Sequence, residues 1–268
     1  KLYGQEKNLT TSSIARINLF LHGIKDFKIT REDTLRYPAF LEGDSLAKFD
    51  VVIANPPFSL NNWGHDNWTH DPFGRNNYGT PPKSNGDYAW VEHMLSSIAP
   101  PNGRMGIILP HGALFRSGVE GKIRKEIIDK DLLEAIIGLG PNLFYGTGIS
   151  ACILIFKIKK EEKKNKKFYF IDASDQFQKG RNQNFFLEEH ATFIYNVYEE
   201  YVDIENVSRV VDVSEIEKNE YNLNIPLYVK KSVNNEEINI KEVMDEFNLQ
   251  YKDFLESEEK VKKLLKEA

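Results

Sequence analysis

The sequence has a single cysteine, Cys152, among 268 residues, which excludes an internal disulfide and any zinc site built on cysteines. Long apolar runs are missing as well. The longest, Ile149–Phe156, covers eight residues, well short of the roughly 20 needed to cross a bilayer. No stripe of one charge sign stands out: residues 1–167 carry a net +5 and residues 168–268 a net −10, together the −5 of the whole chain. Neither part has the basic face of a protein that grips nucleic acid unaided. Internal repeats and low-complexity blocks are absent. There is no Met at position 1, and Lys1-Leu2-Tyr3-Gly4-Gln5-Glu6 reads like the end of a strand entering a turn. The chain is therefore expected to be a fragment, and no N-terminal signal can be judged. What is present, 41% hydrophobic and 28% charged residues, allows a sizeable core. The expectation is a soluble, cytoplasmic α/β protein without membrane association.

Residues 1–160 alternate strand-like and helix-like segments, the pattern of a mostly parallel sheet covered by helices. Thr10–His22 reads as a helix, with Thr10 or Thr11 as cap and Gly23 as stop. Phe27–Arg31 is a short strand. Phe49–Ala54 reads as a buried strand, ended by Pro56-Pro57, which cannot continue a ladder. Ser59–Gly86 is a long loop rich in Asn, Gly, Pro and aromatics, and loops of that length are usually functional or disordered. Helices are expected over Asp87–Ala99 and Val119–Asp129, and strands over Arg104–Leu109, Leu133–Leu139 and Ile149–Ile158. Lys159–Lys167 reads as a solvated hairpin tip with Phe168–Asp172 as the return strand. Composition sets apart three regions: a core over 1–175, a polar, acidic extension over 176–235, and a tail over 236–268. In the tail Ile240, Met244, Phe247, Tyr251, Phe254, Val261 and Leu265 follow a heptad seam. That seam fits either a helix packed on its own domain or one exported to a partner.

The strongest chemical signal is Asn55-Pro56-Pro57-Phe58 directly after a hydrophobic strand. An exocyclic amine on a base is a poor nucleophile because its lone pair is delocalised into the ring. Two acceptors that take both amine hydrogens draw the nitrogen toward sp3 geometry and localise that pair. The Asn55 side-chain oxygen and the Pro56 carbonyl suit this role, because proline fixes φ and aims the chain. Phe58 offers a flat face for a base flipped from its duplex. The plainer alternative is a Pro-Pro turn that merely ends a strand.

With these residues the sequence resembles the adenine-specific DNA methyltransferases, in particular the modification subunits of type I restriction-modification systems. Gly4-Gln5-Glu6, Asn8, Thr10 and Asn18–Gly23 resemble that family's second-strand region, and Asp33-Thr34-Leu35 its next acidic turn. Ser84–Trp90 with His93-Met94-Leu95 is similar to the helix after the target loop, and Gly103–Pro110 to the fifth-strand segment. Leu114-Phe115-Arg116, Ile123-Arg124, Asn142–Ile149 and Tyr221–Pro226 extend the likeness along nearly the whole chain. The resemblance implies a class I S-adenosylmethionine-dependent methyltransferase fold (Rossmann-like, truncated at its N-terminus) with a C-terminal helical tail. It implies Asn55, Pro56, Pro57 and Phe58 as the catalytic motif, and Glu6, Asp33 and Asn55 as residues toward S-adenosyl-L-methionine. It implies double-stranded DNA as substrate. The implied partners are a specificity subunit docked through residues 236–268, a second modification subunit and a restriction subunit. The family's Gly-rich loop, which cradles the methionine end of the cofactor upstream of Glu6, has no counterpart here. Gly138-Leu139-Gly140 and Gly146-Thr147-Gly148 both lie downstream of the motif. This chain alone is accordingly expected to bind cofactor weakly or not at all. Two other enzymes share such a motif, guanine methyltransferases of ribosomal RNA and glutamine methyltransferases of release factors. A non-catalytic docking module is the third alternative.

Within Ser59–Gly86, Trp63, Trp68, Phe73 and Tyr78 are candidates to stack on bases, and Arg75 and Lys83 to meet phosphates. The alternative is that they pack on the loop itself. Tyr145, with Phe144, falls where the family lines its target pocket, although core packing fits equally. His65-Asp66 and His70-Asp71 are the only candidate metal pairs, with no rigid element to fix their geometry, so no metal is expected. Cys152 reads as a small core residue, and His93 and His111 as structural histidines.

Overall fold

The structure is a computed structural model that describes residues 1–231 together with Met244, Tyr251, Lys252 and Lys262. The chain divides into two compact units, Lys1–Lys231 and Ser232–Ala268. Of the heptad seam, Met244 and Tyr251 are described, both helical and exposed. The rest of the expected 236–268 helix lies outside the described residues.

In chain order the elements are β1 Leu2–Gln5, α1 Leu9–Leu21, β2 Phe27–Thr30, β3 Leu41–Glu42, β4 Ser45–Leu46, β5 Val51–Ala54, α2 His65–Trp68 and α3 Asp87–Leu95. Next come β6 Arg104–Pro110, α4 Gly112–Phe115, α5 Val119–Asp129, β7 Leu133–Leu139, β8 Ala151–Lys157 and β9 Lys167–Ala173. The last are α6 Glu188–Glu200, β10 Ser208–Asp212 and α7 Val213–Lys218. The main sheet runs β10-β9-β7-β8-β6-β5, while β1 and β2 pair in parallel as a separate ribbon. The expected parallel pairings exist at β5–β6 and β7–β9. However, β8 is inserted antiparallel between β6 and β7. No helix separates β7 from β8, and a parallel pairing would need a crossover of a dozen or more residues. The return strand over 168–172 does form, as β9, but it does not pair with β8. Both edges of β8 are already taken, so β9 lies along the far side of β7 and receives β10.

Alternating side chains of these strands feed two cores, as the period of two requires. Met105, Ile107, Leu109, Cys152, Leu154 and Phe170 pack beneath α3, α4, α5 and α7. Ala135, Ile137, Tyr169 and Ile171 pack on α6. The extension that composition sets apart at 176 supplies α6, β10 and α7 to the same unit. The expected solvated tip is also partly inward. Lys160 pairs with Asp131 at 2.6 Å and Lys164 with Glu134 at 3.1 Å, and all four are partly or wholly buried.

Two local expectations shift. Helix α1 is capped by Asn8, whose side chain accepts from the Thr11 N–H, so Thr10 and Thr11 lie inside the helix. Strand β5 is not buried on both faces. It is the edge of the main sheet, and Ile53 is 80% exposed while Val52 and Ala54 face the core. An unbroken Val-Val-Ile-Ala run reads as doubly covered, yet only one face is covered among the described residues. Among those residues no helix is long and apolar enough to cross a membrane.

Candidate active site

The motif begins one residue past β5, at the carboxyl end of a strand that pairs in parallel with β6. Ligands in open α/β sheets bind at such ends. Pro56 is buried and anchors the turn, whereas Asn55 and Pro57 are exposed. The Asn55 amide makes no hydrogen bond to the described residues, so its donors and acceptor remain available to a substrate. Phe58 is half-buried and meets Phe144 edge-on, with ring centroids 5.8 Å apart and planes at 71°. Phe144 belongs to the 141–148 loop between β7 and β8. The next residue, Tyr145, is 93% exposed.

The exit of the motif is held by residues that motif spacing does not reveal. Ser59 adopts a left-handed φ of 51°. Its N–H donates to Asp87 Oδ1 at 2.8 Å, and the Gly86 N–H donates to the Leu60 carbonyl at 3.0 Å. The Asp87 side chain is fully buried, and its second oxygen pairs with the Arg116 guanidinium. Arg116 in turn donates to both oxygens of Glu120, at 2.5 and 3.0 Å. A buried carboxylate without such partners would be strongly destabilising. Asp87 starts α3 and Arg116 ends α4, so the fold converts two separated segments into one brace behind Phe58. The sequence signal was the presence of both residues in segments resembling the family, without any spacing rule to join them.

The long loop folds inward. Trp63 and Trp68 are buried, pack edge-on at 5.1 Å and form a small core with Leu35 and Ala89. Arg75, expected on phosphates, is 2% exposed: its guanidinium pairs with Asp71 at 2.7 Å and lies 4.5 Å over the Trp68 ring. That ion pair is satisfied internally, so Arg75 does not reach a ligand. Tyr78 is partly buried, packed against the main core with Lys130 5.2 Å over its ring. Lys83 is exposed but pairs with Asp66 at 3.1 Å. The His65 ring also contacts Asp66, at 3.3 Å. Among the described residues no three His, Cys, Asp or Glu side chains gather as a metal site.

Burial, with the Arg75 charge beside it, pushes His93 down to about 3. Its neutral ring is therefore an acceptor 3.4 Å from Arg75 Nη1. His111 is lowered by burial and donates to the Ala151 carbonyl at 2.9 Å. The Cys152 thiol is raised by burial and sits inside β8. All three occupy structural positions.

Glu6 and Asp33 follow β1 and β2, at the carboxyl ends of neighbouring parallel strands. The Asn8 N–H donates to Glu6 Oε1 at 2.7 Å, and Lys7 pairs with Asp33 at 2.9 Å. Arg36, whose N–H donates to Asp33, also reaches the Asn62 carbonyl at 2.7 Å. The ribbon is thereby tied to the segment just beyond Phe58. Two carboxylates at strand ends suit ribose hydroxyls and a base amine, the donors of the adenosine half of S-adenosylmethionine.

A central mixed sheet with helices on both faces, and an Asn-Pro-Pro-Phe turn at a strand end, defines the class I S-adenosylmethionine-dependent methyltransferase fold. A solved structure described as such an enzyme, from Listeria monocytogenes, superposes with a TM-score of 0.52 at 18% identity over 75% of this chain and 55% of that one. Residues 1–237 match the N-6 DNA methylase family, and the chain belongs to that family. The type I restriction enzyme MjaVII methylase subunit of Methanocaldococcus jannaschii is 40% identical over 278 residues, 100% of this chain and 46% of that protein. The type I restriction-modification methyltransferase subunit of Streptococcus thermophilus superposes with a TM-score of 0.78 at 37% identity, covering 85% of this chain and 48% of that one. The chain thus spans about half the length of these relatives.

Proposed function

We propose that the protein carrying this chain is a site-specific, adenine-specific DNA methyltransferase, the modification subunit of a type I restriction-modification assembly. The observation that carries this reading is the free Asn55 amide beside Phe58, presented at the end of β5 in a chain of the N-6 DNA methylase family. Asn55 Oδ1 and the Pro56 carbonyl accept the two hydrogens of the adenine amine and localise its lone pair. Phe58 stacks the flipped base, and Phe144 holds the Phe58 ring from its edge. The Asp87–Arg116–Glu120 brace fixes the backbone on which these groups sit, so positioning supplies much of the rate. Glu6 and Asp33 hold the adenosine half of S-adenosyl-L-methionine, which supplies the methyl group as an electrophilic sulfonium when bound. No protein base is required before attack, in keeping with the structural roles of His93 and His111.

DNA sequence would be read by a specificity subunit, with residues 236–268 as its dock. A second modification subunit and a restriction subunit would complete the assembly. Cutting the protein near residue 235 should abolish co-purification with the specificity subunit, and a truncated protein that still co-purifies refutes the dock. The chemistry is tested in the full-length protein with its specificity subunit and labelled S-adenosylmethionine. Methyladenine in DNA, reduced by about two orders of magnitude or more in Asn55→Ala, is the expected result. Label in ribosomal RNA guanine, or none in DNA, overturns the reading.

A further inference from the structure

We infer that the hairpin spanning residues 178–185 is a DNA-backbone contact latched onto the lip of the target site, with Lys179 and Arg181 as its phosphate ligands; this rests on the DNA-methyltransferase reading above.

The hairpin is a built element. Gln178 and Phe185 exchange two backbone hydrogen bonds, each 2.9 Å. A Cβ at Gly180 would lie 2.0 Å from the Gln183 carbonyl oxygen, so the turn closes only around glycine. At its base Phe177 packs so closely on Gly140 that a Cβ there would meet the ring at 2.5 Å. Its far strand is bonded to the loop that carries Phe144 and Tyr145. Asn142 Nδ2 donates to the Asn182 carbonyl at 3.0 Å, and Gln183 Nε2 to the Leu143 carbonyl at 3.1 Å. Asn184 donates twice, through Nδ2 to the Pro141 carbonyl and through its N–H to the Asn142 carbonyl, both at 2.9 Å. Since Phe144 touches Phe58, a continuous set of contacts joins the catalytic motif to the hairpin.

The charge pattern then identifies the ligand class. Lys179 and Arg181 are exposed, and neither forms a hydrogen bond or ion pair with the described residues. The nearest acid in the chain, Asp175, is already taken by Lys231 at 3.2 Å. In the long loop the reverse holds, because Arg75 and Lys83 are both paired with aspartates. Of the cations in these two loop regions, those left unpaired among the described residues are therefore on the hairpin. A guanidinium and an ammonium flanking a glycine turn, on a hairpin bonded to the loop that carries the exposed Tyr145, match a polyanionic strand approached from its backbone. Contacts of this kind position DNA without reading its sequence. Phe185 and Phe186 are also exposed, so a protein partner is the competing occupant that the test must separate.

The experiment compares the full-length protein, assembled with its specificity subunit, with its Lys179→Ala/Arg181→Ala double variant, on duplex DNA carrying the target site. DNA affinity is measured across a salt series and methylation at steady state. The double variant should raise the DNA KM by about tenfold or more, leave kcat at saturating DNA unchanged, and flatten the log Kd against log salt slope by about two. Arg181→Lys, which keeps the charge, should retain the wild-type slope. An unchanged KM and slope overturns the inference. So does loss of the specificity subunit from the double variant, which would make the hairpin a protein dock. Failure of the wild-type complex to methylate DNA strikes instead at the functional reading, and is seen without any variant.

Discussion

Two loop regions flank the candidate site, and in sequence they look alike. Residues 59–86 and residues 141–148 with 178–186 are both rich in Asn, Gly and aromatics, with two lysines or arginines each. In the structure they face opposite ways. The first turns its tryptophans and Arg75 into a private core, and the second leaves Tyr145, Lys179, Arg181 and Phe185 in solvent. The difference lies in available partners. Arg75 finds Asp71 four residues earlier and the Trp68 face beneath it, so its charge is satisfied inside the protein. Lys179 and Arg181 pair with no acid among the described residues. A cation in a loop beside an active site is thus a ligand contact only when the fold leaves it unspent.

The largest effect that would sharpen this contrast is expected from Arg75→Ala. It leaves the Asp71 carboxylate buried and unpaired, which should cost about 3–5 kcal/mol of stability. Thermal unfolding should drop sharply while the salt slope of DNA binding stays unchanged. A flattened slope with an intact melting temperature would show that Arg75 serves the ligand after all.

Asp87→Ala comes next. It strips a partner from the Ser59 N–H and from Arg116 behind the motif, for about 1–3 kcal/mol. The expected signature is a fall in kcat with cofactor affinity retained, read by steady-state kinetics and isothermal titration. Normal kcat at a temperature where the variant is folded would show that the brace serves stability alone.

Tyr145→Ala should leave the melting temperature untouched, since the ring is in solvent, and weaken DNA binding by about 1–3 kcal/mol if the ring stacks on a base. A fall in stability without loss of binding would place Tyr145 with the inward-facing aromatics.

A pH-dependent effect concerns Glu92, under the long loop, whose two carboxylate oxygens are buried. Burial, with the nearby Asp71 charge, raises its pKa to about 9. The folded state therefore keeps a proton that the unfolded chain releases near 4.5. Stability from this group is complete below that value and is lost progressively as pH climbs toward about 9. Glu92→Gln should flatten the decline in urea midpoint between about pH 5 and about pH 8. Parallel declines in both proteins would mean that Glu92 is ionised in the fold.

Much of the scaffold was legible locally. Leu133–Leu139 and Val119–Asp129 have the same limits in sequence and structure, because the first is a mostly apolar run and the second an amphipathic helix, each with a clear boundary. The Asn8 cap was missed because Asn, Thr and Ser are all acceptable caps and only backbone geometry chooses among them. The destination of β9 was missed because a charged tip suggests a hairpin, while the sheet had no free edge on β8.

What the sequence determined by itself is the chemistry at one point. A hydrophobic strand run followed by Asn55-Pro56-Pro57-Phe58 encodes its own geometry, since proline sets φ and the motif is contiguous. Only the tertiary structure decided which side chains are spent on the protein and which remain for a ligand. The partners of Arg75, Asp87 and Asn142 are supplied by separate turns and strands, and hydrogen bonds across such separations follow from packing, not from local spacing. For that reason Arg75, which by sequence fits either a phosphate contact or the loop's own packing, lies inward, while Lys179 and Arg181, which no sequence motif marks, stay unpaired among the described residues.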